Sequence, residues 1–395
     1  MRIDFETKLQ EELDSLRAAG TYKMFRTNLG SLSGTISVED FGEEIVLCSN
    51  NYLGLANKRE IVDAAHDALE RYGAGTSSVR FICGTYDIHH MLEKKTADFL
   101  GMDAALSYTS CWAANTACIP ALLSDGDAVV SDELNHASII DGCRAVGKGV
   151  RKAVYKHSDM TELEERLTET ADCGTVLVVT DGVFSMEGYI ARLQEIVALC
   201  KKYNALLMLD ESHATGVLGE TGHGTMEHFG LASGVDIISG TYGKALGGAG
   251  GGFIAASKNV CDILKQRSRP HLFSSALPPV LCAIALASIE YLEAHPGIVA
   301  SLRKKAEYCR GKVQELGLNP LNGESAIIPI IIGDTAKSIA ISSYAMKEGV
   351  FTIGFGYPVV PKGTARIRLQ ISDALGYEQL DKASHVLAAA INKYK

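Results

Sequence analysis

One lysine stands alone in a small-residue turn. Lys244 lies within GTYGKALGG (240–248), directly after the apolar run VDIIS (235–239), and no other charged residue occurs between Asp236 and Lys258. A second apolar run just upstream, LLMLDESHATG (206–216), ends in Asp210, with His213 three residues on. An amine held in a cleft of low dielectric loses its proton more readily, because burial disfavours the charged form, and the neutral amine is then a nucleophile and a base. A lysine, a carboxylate and an imidazole at the ends of neighbouring apolar runs are equipment for carbonyl chemistry.

The pairing of residue types points to a particular cofactor. Pyridoxal 5'-phosphate (PLP) offers an aldehyde that condenses with an amine, and it needs a carboxylate beside its ring nitrogen to keep the ring electron-poor. Lys244 and Asp210 match the two requirements. Phosphate-loop alternatives fail on spacing: the glycines at 247–252 form neither GxxxxGK[ST] nor a GxGxxG ahead of a helix. Other readings of the same residues are structural. Asp210 could be a helix N-cap, and His213 and His136 could be hydrogen-bonded core histidines. A divalent-metal hydrolase built on Asp132, His136, Asp210 and His213 is a rival from another class.

These residues must be positioned by something regular. AALSYTS (104–110), AVVSDE (128–133), TVLVVTDGVFS (175–185), ALLMLDE (205–211) and VDIISGT (235–241) alternate with helical patterns. That alternation is the signature of strand, crossover helix and parallel strand. Continuous apolar strands are expected where helices cover both faces of a sheet. In such open sheets ligands bind beyond the carboxyl ends of the strands. Ser110, Ser185, Asp210 and Lys244 all fall at or just past such ends, so the pattern predicts that they line one cleft. The domain reading is an N-terminal helix and hairpin over 1–50, a large α/β domain over 51–280, and a smaller α+β domain over 281–395.

Composition agrees with a globular small-molecule enzyme. The 395 residues are 47% hydrophobic and 22% charged, with net charge −9. No basic block interleaved with aromatics offers a nucleic-acid footprint, and no apolar stretch has the length of a membrane span. Ten scattered cysteines without a CxxC pair read as free thiols in a reducing compartment. The N-terminus, MRIDFETKLQEELDSLRAAG, has neither the basic flank nor the apolar core of a signal peptide. A cytoplasmic location is expected.

Beyond these physical readings, the chain resembles the α-oxoamine synthases, a family of fold-type I PLP-dependent transferases that condense an amino acid with an acyl-CoA. The resemblance runs through NNYLGL (50–55), DELNHASIIDG (132–142), TDGVFSMEG (180–188), DESHATGVLGETGHG (210–224), SGTYGKALGG (239–248), LFSSALPP (272–279) and ARIRLQIS (365–372). Two more segments, SSVRFICGTYDIHHMLE (77–93) and GFGYPVVPKGTARIR (354–368), are similar to the branch that transfers an acetyl group to glycine. The branch that joins alanine to a pimeloyl thioester, with loss of CO₂, is the alternative.

The resemblance implies an α/β fold with a mainly parallel sheet, helices on both faces and a smaller C-terminal domain. It also implies roles. Lys244 would hold the cofactor as an internal aldimine and shuttle the Cα proton, generating a quinonoid carbanion. Asp210 would face the pyridine nitrogen and His136 would stack on the ring. His213 and Ser185 would contact the phenolic oxygen. Main-chain groups of Cys111 and Trp112 would bind the phosphate at a helix N-terminus, helped by Thr241 and by Ser274 and Ser275 of a second subunit in a homodimer. Arg368, with Asn50, would bind the amino acid's carboxylate, alongside His136 and Ser185. Glycine and acetyl-CoA would be the substrates, in threonine breakdown.

Overall fold

The computed structural model describes residues 3–394, so Met1, Arg2 and Lys395, at the ends of the first and last expected domains, lie outside it. In chain order the strands are β1 (Thr35–Val38), β2 (Gly42–Val46), β3 (Ala104–Tyr108), β4 (Ala128–Asp132), β5 (Arg151–Tyr155), β6 (Val176–Asp181), β7 (Leu206–Asp210), β8 (Ile237–Thr241), β9 (Gly252–Ala256), β10 (Ile327–Gly333), β11 (Val350–Phe351), β12 (Gly354–Phe355) and β13 (Ala365–Gln370). They are divided between two compact units.

The larger unit comprises residues 50–185 and 189–301. Its seven-stranded sheet has the order β3-β9-β8-β7-β6-β4-β5, and only β9 runs antiparallel to its neighbours. Strands β4 and β6 are buried along their whole length, as expected where helices cover both faces. The helices Cys111–Leu122 and Ala137–Ala145 pack on each other, and Pro279–Ala294 packs on Arg59–Tyr72 and Asp87–Leu100. This packing keeps Pro279–Ala294 within the large unit, whose boundary falls between Ser301 and Leu302. Leu106, Val129, Leu177, Met208 and Ile254 belong to one continuous core cluster.

Two strands escape the apolar-run reading. Strand β5 is RKAVY, an edge strand whose first two residues, Arg151 and Lys152, are exposed. Strand β9 follows the glycines that surround Lys244 and forms an antiparallel partner for both β8 and β3. Its first residue must be glycine, because a Cβ at Gly252 would lie 2.2 Å from the main-chain nitrogen of Cys111. That close approach seats the N-terminus of the helix Cys111–Leu122 against the sheet.

The smaller unit comprises the chain up to Ser49, Met186–Gly188 and the chain from Leu302. One sheet has the order β1-β2-β11 and another the order β10-β13-β12. Its helices include Ile3–Ala18, Thr335–Lys347 and Tyr377–Tyr394. No helix among the described residues is long and apolar enough to cross a membrane.

Candidate active site

Register brings the chemistry together. Asp181 at the end of β6 is paired with Asp210 at the end of β7, and Asp210 with Ser239 on β8. The loops that leave these strand ends surround a cavity of about 210 Å³ in the larger unit. It is lined by Ser110, Cys111, Trp112, His136, Asp181, Ser185, Asp210, Ser212, His213, Thr241 and Lys244. Residues as distant in sequence as Ser110 and Lys244 meet there because each sits at or beyond a strand's carboxyl end or on the following helix.

Each side chain is held by local structure. Asp210 is buried, and it is not a helix N-cap: its Oδ1 accepts from the Ser212 main-chain N–H at 2.8 Å, while Oδ2 accepts from Asn115 Nδ2 at 2.6 Å. His136 caps the helix Ala137–Ala145, its Nδ1 accepting from the Ser138 N–H at 3.3 Å. Its main-chain N–H donates to Asp181 Oδ2 at 2.9 Å. His213 is buried, with Nδ1 2.8 Å from the Tyr52 hydroxyl. Thr241 accepts from the Gly243 N–H at 3.0 Å and donates to the Gly251 carbonyl at 2.9 Å, which pins the turn that carries Lys244.

The helix Cys111–Leu122 begins at the cavity wall, capped by Ser110, whose Oγ accepts from the Ala113 N–H at 3.1 Å. Its remaining N-terminal N–H groups and the helix dipole suit an anion. The Cys111 thiol contacts Ser212 Oγ at 3.2 Å. Burial, and then the charge of Asp210, push that thiol well above its ordinary range, so it stays protonated and is not a nucleophile.

Electrostatics separate the two neighbouring carboxyl groups. Burial raises Asp181 well above the usual carboxylate range, and the charge of Asp210 adds to the effect. Two like groups at adjacent strand ends do not both ionise readily. Burial also lowers the affinity of His136 for a second proton; Asp210 opposes that and Lys244 reinforces it. The cavity thus offers an amine, a carboxylate, a neutral imidazole and a helix N-terminus, a set suited to a flat, anionic aldehyde.

Nine of the residues singled out in the sequence line this cavity: Ser110, Cys111, Trp112, His136, Ser185, Asp210, His213, Thr241 and Lys244. Asn50, Ser274, Ser275 and Arg368 do not line it. Ser274 and Ser275 are exposed just after the helix Arg269–Phe273. Arg368 belongs to the smaller unit, on β13, where its guanidinium donates to Gln370 Oε1 at 2.8 Å and stands 4.6 Å from the centroid of Phe355. Asp181 and Ser212 are lining residues that the sequence pattern does not single out, although Asp181 ends a strand like the others. Among the described residues no group of three or more His, Cys, Asp or Glu is arranged to hold a metal ion. Asp132 instead accepts from the Ser158 N–H at 3.0 Å and contacts His157 Nδ1 at 3.2 Å, so the hydrolase reading loses its donor set.

Comparison with known proteins agrees with the geometry. The family model described as aminotransferase class I and II matches residues 43–387. The 2-amino-3-ketobutyrate coenzyme A ligase of Salmonella typhimurium is 45% identical over 385 residues, covering 97% of this chain and 96% of its own. The 8-amino-7-oxononanoate synthase of Thermoanaerobacter pseudethanolicus is 44% identical over 382 residues, covering 96% and 95%. Among solved structures, a serine palmitoyltransferase variant from S. paucimobilis with a bound PLP–myriocin aldimine superposes with TM-score 0.92 at 27% identity, covering 98% of this chain and 97% of that one. The chain therefore belongs to the class I and II aminotransferase family, in its α-oxoamine synthase branch.

Proposed function

We propose that this chain is a PLP-dependent glycine C-acetyltransferase, joining glycine and acetyl-CoA to give 2-amino-3-oxobutanoate and CoA, in either direction. The observation that carries the reading is the meeting of Lys244, Asp210, His136 and a helix N-terminus in one cavity. The near full-length likeness to 2-amino-3-ketobutyrate coenzyme A ligases favours glycine and acetyl-CoA.

The residues fit the cofactor. N–H groups at Cys111 and Trp112, with Thr241, would take its phosphate; Asp210 would hold a proton at its ring nitrogen; His136 would cover one ring face; His213 and Ser185 would contact its phenolic oxygen. When bound, PLP supplies the aldehyde and a ring that spreads negative charge away from the substrate carbon. The protein does the rest. The Lys244 amine, in a partly buried turn, takes a proton from Cα of glycine and returns one later, a role worth about 10²- to 10⁴-fold in rate. The Asp210 carboxylate, fixed by Asn115 and Ser212, would keep the ring nitrogen protonated. Asn50 and the planar fork of Arg368 would anchor the glycine carboxylate, where two parallel hydrogen bonds fix direction as well as charge.

The reading extends to a homodimer, with Ser274 and Ser275 of each subunit serving the partner's phosphate site, to a cytoplasmic location, and to a part in threonine catabolism. The test is a side-by-side assay of the purified chain with PLP. Glycine plus acetyl-CoA should give rapid CoA release without CO₂. Preferential turnover of alanine plus a pimeloyl thioester, with CO₂ release, would replace this reading by that of an 8-amino-7-oxononanoate synthase.

A further inference from the structure

Behind the cavity wall, buried polar side chains connect Asp210 to His136. Asn115, fully buried in the helix Cys111–Leu122, lies with Nδ2 2.6 Å from Asp210 Oδ2 and 3.0 Å from Ser138 Oγ. Ser138 Oγ is in turn 2.7 Å from His136 Nδ1. The bond directions follow from chemistry. A carboxylate only accepts, so Asn115 must present its NH₂ group to Asp210, and the second hydrogen of that group goes to Ser138 Oγ. The Ser138 main-chain N–H, an obligate donor, also aims at His136 Nδ1, at 3.3 Å. That nitrogen is therefore an acceptor, and the Ser138 hydroxyl donates to it. His136 then carries its proton on Nε2.

We propose that Asn115 and Ser138 are a positioning pair that fixes the carboxylate of Asp210 and the tautomer of His136 as one unit. Neither side chain lines the cavity, and neither is a catalytic residue. A second observation separates this role from scaffolding. Asn115 Oδ1 is buried with no hydrogen-bond partner among the described residues, and an unpaired buried acceptor costs stability. That cost is offset only by what the Nδ2 group holds, Asp210 and Ser138.

The groups that face His136 are few. Asp181 Oδ2 accepts its main-chain N–H at 2.9 Å, Asp210 and Lys244 act on it by charge, the Trp112 ring meets it edge-on at 5.8 Å, and Cys111 and His213 share the cavity. Donation from Ser138 to Nδ1 favours the neutral ring, in the same direction as burial.

The proposal rests on the PLP reading for its purpose, yet it can be tested without the cofactor. The full chain, carrying nitrogen-15 histidine and no PLP, is titrated by NMR as wild type, as Ser138→Ala, as Asn115→Leu and as the double variant. In the wild type His136 should be the neutral Nε2–H tautomer near neutral pH. Ser138→Ala should raise its proton affinity about five- to tenfold, the worth of one hydrogen bond. Asn115→Leu, which frees the Ser138 hydroxyl to turn and leaves Asp210 its hydrogen bond from the Ser212 N–H, should raise it about two- to threefold. The double variant should match Ser138→Ala alone, because residues in one network do not add. PLP affinity, measured separately, should fall about tenfold in Asn115→Leu.

A purely structural role would lower the melting temperature and leave the His136 titration in place; that result in folded Ser138→Ala overturns the proposal, even if Asn115→Leu does not fold. If the titrations move as stated but no form of the chain binds PLP, the positioning pair stands and the cofactor reading fails.

Discussion

Two buried carboxylates in the larger unit are held in opposite ways. Glu93 is gripped by Arg80, Nη1 to Oε1 at 2.6 Å and Nη2 to Oε2 at 3.1 Å, and it also accepts from the Ser107 N–H at 3.0 Å and hydroxyl at 2.8 Å. Burial pushes Glu93 up, but the hydrogen bonds and charge of Arg80, with the hydrogen bonds of Ser107, carry it below the usual carboxylate range. Asp210 accepts from neutral groups, Asn115, the Ser212 main chain and, at 3.7 Å, the Cys111 thiol, and it borders a cavity. The first arrangement is closed, with its countercharge built in. The second fixes a carboxylate's direction and leaves its charge to act on whatever enters.

Because the closed pair has nothing to gain from a ligand, breaking it should damage the fold. Arg80→Met strands Glu93 without a cation, and removing one partner of a buried pair costs about 3–5 kcal/mol. Urea unfolding should show that loss, with wild-type turnover per folded molecule; a loss under about 1 kcal/mol, the value of an exposed pair, would erase the distinction.

Asp210→Asn should do the reverse. Its shape and the hydrogen bond from Asn115 can be kept while the one from the Ser212 N–H is lost, so stability should fall by only about 1–3 kcal/mol, whereas turnover should fall about 10²- to 10³-fold, as when a preorganised electrostatic group is lost. Equal damage to stability and turnover would mean that Asp210 is mainly structural.

The smallest effect concerns His271, beside the closed pair, packed edge-on against Tyr108 at 5.7 Å. Burial, and then the charge of Arg80, lower it from 6.5 to about 4. Between those values the unfolded chain binds more protons than the folded one. Stability from this group is therefore whole above about pH 6.5 and falls as pH drops toward 4, by roughly 3 kcal/mol at most. Glu211, which burial raises to about 7, contributes the opposite slope, so the comparison must be with a variant. His271→Phe should flatten the acid side of the stability curve relative to wild type, and an unchanged slope would show that His271 is not neutral in the fold.

Legibility in the sequence follows burial. Strands β4, β6, β7 and β8 are long apolar runs because the sheet is covered on both faces, and the ends of such runs suffice to pick out Ser110, Ser185, Asp210 and Lys244. Strand β5 is hidden by the Arg151 and Lys152 of an exposed edge, and β9 by the glycines that let the neighbouring helix approach. Asp181 obeys the same strand-end rule but has no nearby lysine or histidine in sequence to draw attention to it. Asn115 cannot be found at all by pattern. Within CWAANTACIPAL it reads as a polar residue in an apolar helix, and only the packing of that helix against the sheet reveals that its amide meets Asp210.

The proposed function makes Lys244 the amine on which the cofactor's aldehyde is held. It is tested most directly by incubating the purified chain with PLP, reducing it with borohydride and mapping the modified peptide by mass spectrometry. One phosphopyridoxyl group per chain is expected, on Lys244, and none in Lys244→Ala. A stoichiometric label on another lysine, or equal labelling of Lys244→Ala, would contradict it.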